Sequence, residues 1–418
     1  MGDRKRKREV TMELERLLSS PAPHGANWPK AAEWHEDASS RLAVCRPKQG
    51  AGSLGLLAYG LRRLEGRQLH LVVPQQAVTA IRARAAFLTP RVHVHRKQAK
   101  GWADAEPPMS IMQAKEFYRQ LGKPVQAAAW ETASWEPWLR DLVDWVDSRR
   151  VERVRNRERH AWHYRGRQVF SVRRFASGAY ELVAGVNYRA PTGDQPAPFK
   201  VRLAARKELE AGQVDRVRLA VDEAIERRRT GKDDKHREHL LQAAIGTEPS
   251  LIGMTELRRE VPAWRPKYGA HSGQAFIDFL GRDVDRVGHV IEVKIGPDAQ
   301  LGIQALDHWA WATAHINELS EQITIDPTAG IELDIVLGRS DKELVHPAAA
   351  ATLDALGDDV DWRCHVVDDW NTVATPRQLI APRSEACPPR KLPTAETQRD
   401  TEATDDALTD SLERRQGG

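Results

Sequence analysis

The sequence predicts an α/β protein in which mixed sheets are flanked by helices, with a small β-rich region between two such units. Three observations predict it. Residues 28–97 alternate apolar, strand-like runs with helical patterns: RLAVCRPK, SLGLLAYGLRRLEG, RQLHLVVP, AVTAIRARAAFL and RVHVHRK. The chain after Gly288 repeats that alternation through GHVIEVKIG, a helix, IELDIVLG, PAAAATLDAL and WRCHVVDDW. Such alternation sets helices against the faces of a sheet. Between the two, QVFSVRRF, YELVAGVNY and FKVRLAA read as strands with no helix among them.

In chain order the expected parts are a basic arm and loop over residues 1–25 and an N-terminal α/β and helical domain over 26–150. A basic, β-rich region follows over 151–203, then a charged linker helix in 204–233, running from Ala204 to Arg229. A second α/β domain occupies 234–382, and an acidic tail 383–418. The tail is rich in Thr, Asp and Pro, and from Glu396 to Glu413 seven acids face Arg399 alone, so it is expected to be disordered.

Composition excludes several classes. Cys45, Cys364 and Cys387 are far apart and odd in number, which indicates neither a disulfide framework nor a zinc cluster and suits a reducing, cytoplasmic setting. The basic start MGDRKRKREV is not followed by an apolar stretch, so it does not read as a secretory signal. No run approaches the roughly 20 apolar residues of a membrane span. No GxxxxGK[ST] loop occurs, so no nucleotide cofactor is expected.

The chemistry concentrates between Ile277 and Gln304. Ala275 to Leu280 and Val290 to Ile295 are short apolar runs bounded by glycines, and Asp283, Asp285 and Gly288 supply a turn, which together make a hairpin. If the turn centres on Asp285, Asp278 falls opposite Glu292, Phe276 opposite Lys294 and Leu280 opposite Val290. Asp278, Glu292 and Lys294 then share a face. Directly opposed residues have β-carbons about 5 Å apart, and two buried carboxylates that close raise one another's pKa. A divalent cation relieves the conflict, and the Val293 carbonyl offers a further hard oxygen for Mg²⁺. Upstream, Glu238 lies on one helical stripe with Leu241 and Ile245, the stripe that should be buried, and a buried acid needs a partner at this same site.

These residues resemble the PD-(D/E)XK nuclease superfamily, in particular its NucS-like and RecB-like DNA endonucleases. The stretches that carry the resemblance are REHLLQAAIGTEPSLIG, GQAFIDFLGRDVD, GHVIEVKIG and LGIQALDHWAWA, within residues 234–370. Ile277 stands where the family's name has Pro, and His308 where the NucS-like group has an aromatic. The resemblance implies a restriction-endonuclease-like core, Mg²⁺ or Mn²⁺ as cofactor, and hydrolysis of DNA. It implies that Asp278 and Glu292 hold the metal, with Val293 adding its carbonyl. Lys294 would orient or deprotonate the attacking water, Gln304 would position the lysine or the water, and Glu238 would steady a second metal or its water shell.

The helix after Lys294 has two faces. Ile303, Leu306, Ala310, Thr313 and Ile316 form an apolar one, while Gln304, His308, Trp311 and His315 form a stripe expected to line the cleft. Trp311 on that wall would stack on a base, the alternative being a second core contact.

Net charge is +4, but it is unevenly spread. From Arg149 to Arg174 ten arginines meet two acids, among them Arg153, Arg155, Arg157, Arg159, Arg165, Arg167, Arg173 and Arg174. Trp162, Tyr164, Phe170 and Phe175 interleave with them. Arginine forks with aromatic faces suit nucleic acid, so this stretch is the expected binding region. The bland alternative is a solvated helix from Arg149 to Arg159 beside aromatics that serve a small sheet's core.

The first α/β block echoes the second. Strand and helix follow Arg46-Pro47-Lys48 in the order that follows Glu292-Val293-Lys294, so Lys48 aligns with Lys294 and Arg46 with Glu292. Residues 28–97 are therefore expected to be a diverged, catalytically empty copy of the later core, against the alternative of two ordinary α/β segments.

The function expected is a Mg²⁺-dependent DNA endonuclease in repair or phage defence, with DNA favoured over RNA, and with a homodimer as the partner state beyond nucleic acid. The rivals are a nucleic-acid-binding protein with a relic nuclease fold and an RNA-directed or partner-dependent nuclease.

Overall fold

A computed structural model of the chain describes residues 68–98, 102–124, 135–156, 159–185, 197–230, 237–266, 272–340 and 344–370, with short stretches at 32–36, 40–45, 57–58, 60–61 and 383–387. It is an α/β protein with three sheets. The first holds β1 (Ala32–Glu36), β2 (Ser40–Cys45), β3 (Gln68–Val73), β4 (Val92–Lys97) and β5 (Trp102–Ala105), in that spatial order. Helix α1 (Gln75–Ala85) crosses from β3 to β4 and buries Ala77, Val78 and Ile81. Helix α2 (Ile111–Leu121) begins at Ser110, whose hydroxyl accepts from Gln113 N while Gln113 accepts from Ser110 N. This reciprocal cap fixes the helix start.

The second sheet is an antiparallel meander of β6 (Glu152–Asn156), β7 (Arg159–Tyr164), β8 (Arg167–Arg174), β9 (Tyr180–Ala184) and β10 (Phe199–Leu203). It packs with α3 (Pro137–Asp147) and α4 (Ala211–Arg229) around Trp135, Leu139, Trp162, Phe170, Leu182 and Val217. The arginine run from 149 is thus strand-forming, where a helix was the bland expectation. The linker helix starts at Ala211 rather than Ala204, because Gln213 turns back to accept from Glu210 N.

The third sheet holds the expected site. After α5 (Arg237–Thr247) come β11 (Glu256–Pro266), β12 (Ser272–Arg282) and β13 (Gly288–Ile295) as an antiparallel meander. The β12–β13 ladder has the register expected from the turn, with Leu280 opposite Val290 and Phe279 opposite Ile291. Helices α6 (Leu301–Ala314) and α7 (Ile316–Ile323) lead to β14 (Ile331–Gly338), and α8 (Pro347–Asp354) to β15 (Trp362–Asp368). Both connections are crossovers, so β13, β14 and β15 are parallel, and their continuous apolar runs reflect burial on both faces. Strand β16 (Arg383–Cys387) closes the edge antiparallel to β15. The acidic tail expected from Arg383 therefore does not begin there; residues 388–418 lie outside the described residues.

The first and third sheets repeat one another. The polarities of β1 to β5 run antiparallel, parallel, parallel, antiparallel, as do those of β12 to β16. Registers agree as well: His70 pairs with His93 and Val72 with His95, as Asp334 pairs with Arg363 and Val336 with His365. Even the contacts correspond, for Gln68 meets His93 at 2.9 Å where Glu332 meets Arg363 at 2.8 Å. Ala43 pairs with Leu71 as Glu292 pairs with Ile335, so the sequence alignment moves by three residues. Ala43 stands where Glu292 stands, and Cys45, not Lys48, takes the place of Lys294. Trp34, opposite Ala43, takes the place of Asp278.

The two units share one hydrophobic core, in which Phe87 meets Trp309 edge-on at 5.4 Å. Buried Arg84 of α1 grips Asp307 of α6 through two bonds of 2.8 and 2.7 Å, and Tyr118 of α2 donates to the same carboxylate at 2.6 Å. Among the described residues no helix is long and apolar enough to cross a membrane.

Candidate active site

Beyond Phe279 the β12–β13 ladder gives way to side chains. Asp278, the next residue, accepts the Val293 N–H through Oδ2 at 2.9 Å and the Gln242 amide through Oδ1 at 3.0 Å. Glu292, across the hairpin, is buried, and His308 Nδ1 of α6 meets its Oε1. Lys294 Nζ lies 3.3 Å from both carboxylate oxygens of Glu238, at the start of α5. Asp278, Glu292, Lys294 and Glu238 are therefore brought together from three elements, with His308 from a fourth.

Electrostatics at this point are strained by like charge. Burial, and then the charge of Glu292, push the Asp278 carboxyl up to about 8. Burial also raises Glu238, and Lys294 only partly offsets it. Burial works against the charged forms of Lys294 and His308, yet acidic neighbours win and both are raised: Glu238 first for the lysine, Glu292 for the histidine. Three carboxyl groups and two basic groups thus share one site, in which the Asp278 carboxyl keeps its proton up to about pH 8. His308 Nε2 has no hydrogen-bond partner among the described residues.

Gln242 and Arg259 carry the site's outer support, and the sequence reading passed over both. Gln242 sits one turn after Glu238 on α5, so helical spacing from Glu238 was the signal that pointed to it. Its Oε1 accepts from buried Arg259 at 2.8 Å, and Arg259 also donates to Glu152 at 2.9 Å and to the Gly166 carbonyl at 3.0 Å. Gly166 turns the β7–β8 hairpin with φ +78°, and a β-carbon there would fall 1.8 Å from the His239 carbonyl oxygen. That hairpin tip is seated against α5, directly behind the site. Arg228 reinforces it by donating twice to the Arg165 carbonyl, at 3.1 and 2.9 Å.

Other expected site residues lie elsewhere. Among the described residues no hydrogen bond joins Gln304 to Lys294; the Gln304 side-chain amide meets Gln300 Oε1 at 3.5 Å. Trp311 is no cleft wall. It is fully buried, donates to the Gly122 carbonyl at 2.9 Å and packs on His315. In the basic region Trp162 and Phe170 are core residues, so their faces are not open to bases. Arg153 stacks over Trp135 and Trp162, 5.0 and 5.1 Å from the ring centroids, and Arg173 over Phe175 at 4.8 Å. Arg159, Arg165 and Arg167 are half-buried and Arg174 is exposed. Arg157 and the side chain of Arg155 lie outside the described residues.

No family model, curated protein or solved structure matches this chain. The site must therefore be judged on its own chemistry. Among the described residues no three His, Cys, Asp or Glu side chains converge as a ready metal cage. The donor set that does converge is two carboxylates, Asp278 and Glu292. Hard oxygen donors in small number suit Mg²⁺, which keeps several of its own waters and is held by one or two carboxylates. The Asp278 carboxyl is raised first by burial and then by the charge of Glu292, and a divalent cation beside the pair would favour its ionised form.

Proposed function

We propose that the third sheet and its helices form a PD-(D/E)XK-type core and that the chain hydrolyses phosphodiester bonds in DNA with Mg²⁺ or Mn²⁺. One observation carries this reading: a pair of carboxylates, buried Glu292 and half-buried Asp278, with Lys294 of the same strand as Glu292 clamped by Glu238 beside them. Asp278, Glu292 and the Val293 carbonyl would hold the cation. When bound, it supplies Lewis acidity toward the phosphate and neutralises charge there.

The chain's own groups do the rest. The Lys294 ammonium, kept protonated by its acidic neighbours, donates toward a phosphate oxygen as charge builds on it. Glu238 holds that ammonium in place and, with a carboxyl raised by burial, is suited to exchange a proton with water at the site. A water oxygen forms the new bond to phosphorus, the bond to the 3′ oxygen breaks, and the departing oxygen takes up a proton. The products are a 5′ phosphate and a 3′ hydroxyl. Arg165, Arg167 and Arg174, on the hairpin seated behind the site and the strand that leaves it, supply positive charge for the backbone of the nucleic acid.

The test is purified protein with Mg²⁺ or Mn²⁺ on single-stranded, duplex, flapped and mismatched DNA and RNA. Cleavage of DNA, abolished by chelator and by Asp278→Asn, is the expected result. Binding without cleavage under every condition would favour the relic, non-catalytic reading, and cleavage confined to RNA the RNA-directed one.

A further inference from the structure

The contact between the first and third sheets has the form of a two-fold dimer interface. Leu88, which follows α1 and precedes β4, forms an antiparallel bridge with Leu356, which follows α8 and precedes β15. These bridge residues lie in the corresponding helix-to-strand connections of the two repeats. Thr89 N donates to the Ala355 carbonyl at 2.8 Å, and Gly357 N donates to the Phe87 carbonyl at 2.8 Å. The local two-fold of the bridge relates the two bonds, and it falls between the two corresponding connections. In a symmetric homodimer each patch meets its own copy, with residue i on j and j on i. Here a single chain supplies both sides.

The first repeat cannot hold the proposed metal. Trp34, Ala43 and Cys45 occupy the places of Asp278, Glu292 and Lys294. All three chemical groups are missing at once, so this repeat retains the fold and the docking surface without the site. Nor is its docking a loose contact. The bridge is flanked by the fully buried Arg84–Asp307 pair, and separating the repeats would strand an unpaired charge in a core.

We propose that the chain contains its own dimer partner, acts as a monomer with one live site, and breaks one strand of duplex DNA per binding event. The last part rests on the phosphodiesterase reading; the first two do not. The strands of a duplex are related by local two-fold axes, so a symmetric pair of live sites can cut both, whereas a pair with one empty member cuts one.

Two measurements test this on the full-length protein. Light scattering with and without Mg²⁺ should give the mass of one chain across a wide range of protein concentration. A supercoiled circular duplex should pass to nicked circles before linear DNA forms, at a rate first order in protein. A dimer in solution, linear product arising together with nicked circles, or a second-order rate would overturn the proposal. If no strand of any substrate is cut, the phosphodiesterase reading falls, and the measured mass alone decides whether the partner is built in.

Discussion

Gln242 donates its side-chain amide to Asp278 Oδ1 at 3.0 Å, and that amide can point only one way. Its oxygen must accept from Arg259 at 2.8 Å, because a guanidinium has donors and no acceptor. Arg259 in turn bonds Glu152 of β6 and the Gly166 carbonyl of the β7–β8 turn. The carboxylate that would hold the metal is thus oriented, through two side chains, by the sheet that carries the arginines.

Removing the amide should therefore weaken the metal rather than the fold. Gln242→Ala is expected to lower Mn²⁺ or Mg²⁺ affinity roughly 10–100-fold, the usual effect of losing a partner that orients a metal-binding group. Isothermal titration measures it directly. Unchanged affinity in a folded variant would show that Val293 N–H alone positions Asp278.

Asp278 also makes metal-free stability depend on pH. Its folded value of about 8 lies above its unfolded value near 4, so the fold holds a proton that the unfolded chain has released. The stabilisation is complete below about pH 4 and is lost as pH rises toward about 8. Melting of the chelated protein should fall over that window. Asp278→Asn should flatten the dependence and abolish the rise in melting temperature that Mg²⁺ gives the wild type. A wild-type protein whose melting temperature is flat from pH 5 to 8 without metal would refute the raised Asp278 carboxyl beside Glu292.

The parts legible in the sequence are those set by short-range pattern. The turn between Asp283 and Gly288 fixes the β12–β13 register, and register alone puts Asp278, Glu292 and Lys294 on one face. Glu238 was found because helical spacing makes a buried acid conspicuous. What failed needed long-range packing. Trp311 and Gln304 share a helical stripe, but α2 covers one end of α6, so Trp311 ends against the Gly122 carbonyl instead of in a cleft. The strand β11 contains Pro262 and Pro266, which break a strand pattern; an edge strand tolerates them because one side needs no ladder. The echo between the two α/β units was visible as element order, but its true alignment needed strand pairing, since Arg46 and Lys48 lie beyond the end of β2.

A second pH effect lies at the other end of β13. Burial would raise Asp334, yet hydrogen bonds from His289 and His365 at 2.6 and 2.8 Å outweigh it, with the charges of His289 and Arg363, and hold it at about 2. A depressed acid stabilises the fold above its unfolded value near 4 and loses that contribution as pH falls toward about 2. The loss should be on the order of 2 kcal/mol. Denaturant titrations from pH 5 to 2 should show it in the wild type and not in Asp334→Asn.

Binding of DNA should depend on Arg165, at the β7–β8 turn, and on Arg174, which is exposed although its guanidinium lies over the Tyr180 ring at 5.9 Å. Arg165→Gln with Arg174→Gln is expected to reduce the salt slope of affinity by up to about two units, nearly one per lost phosphate contact. Arg153→Gln serves as contrast, because that guanidinium lies over Trp135 and Trp162 and its loss should lower stability first. An unchanged slope in the double variant would remove this sheet from the binding surface.

Trp311 separates a core role from a nucleotide contact. Its ring is fully buried between α6 and the N-terminal unit, its N–H is satisfied by Gly122, and His315 covers one side at 5.0 Å. Truncation leaves a cavity and an unpaired carbonyl, so Trp311→Ala should cost about 3–5 kcal/mol. Trp311→Phe keeps most of the volume but not the donor, and should lie between the two, closer to the wild type. DNA affinity of the residual folded protein should be unchanged in both. Loss of DNA affinity at full thermal stability would place the ring in contact with substrate and would contradict the packing of α2 on α6.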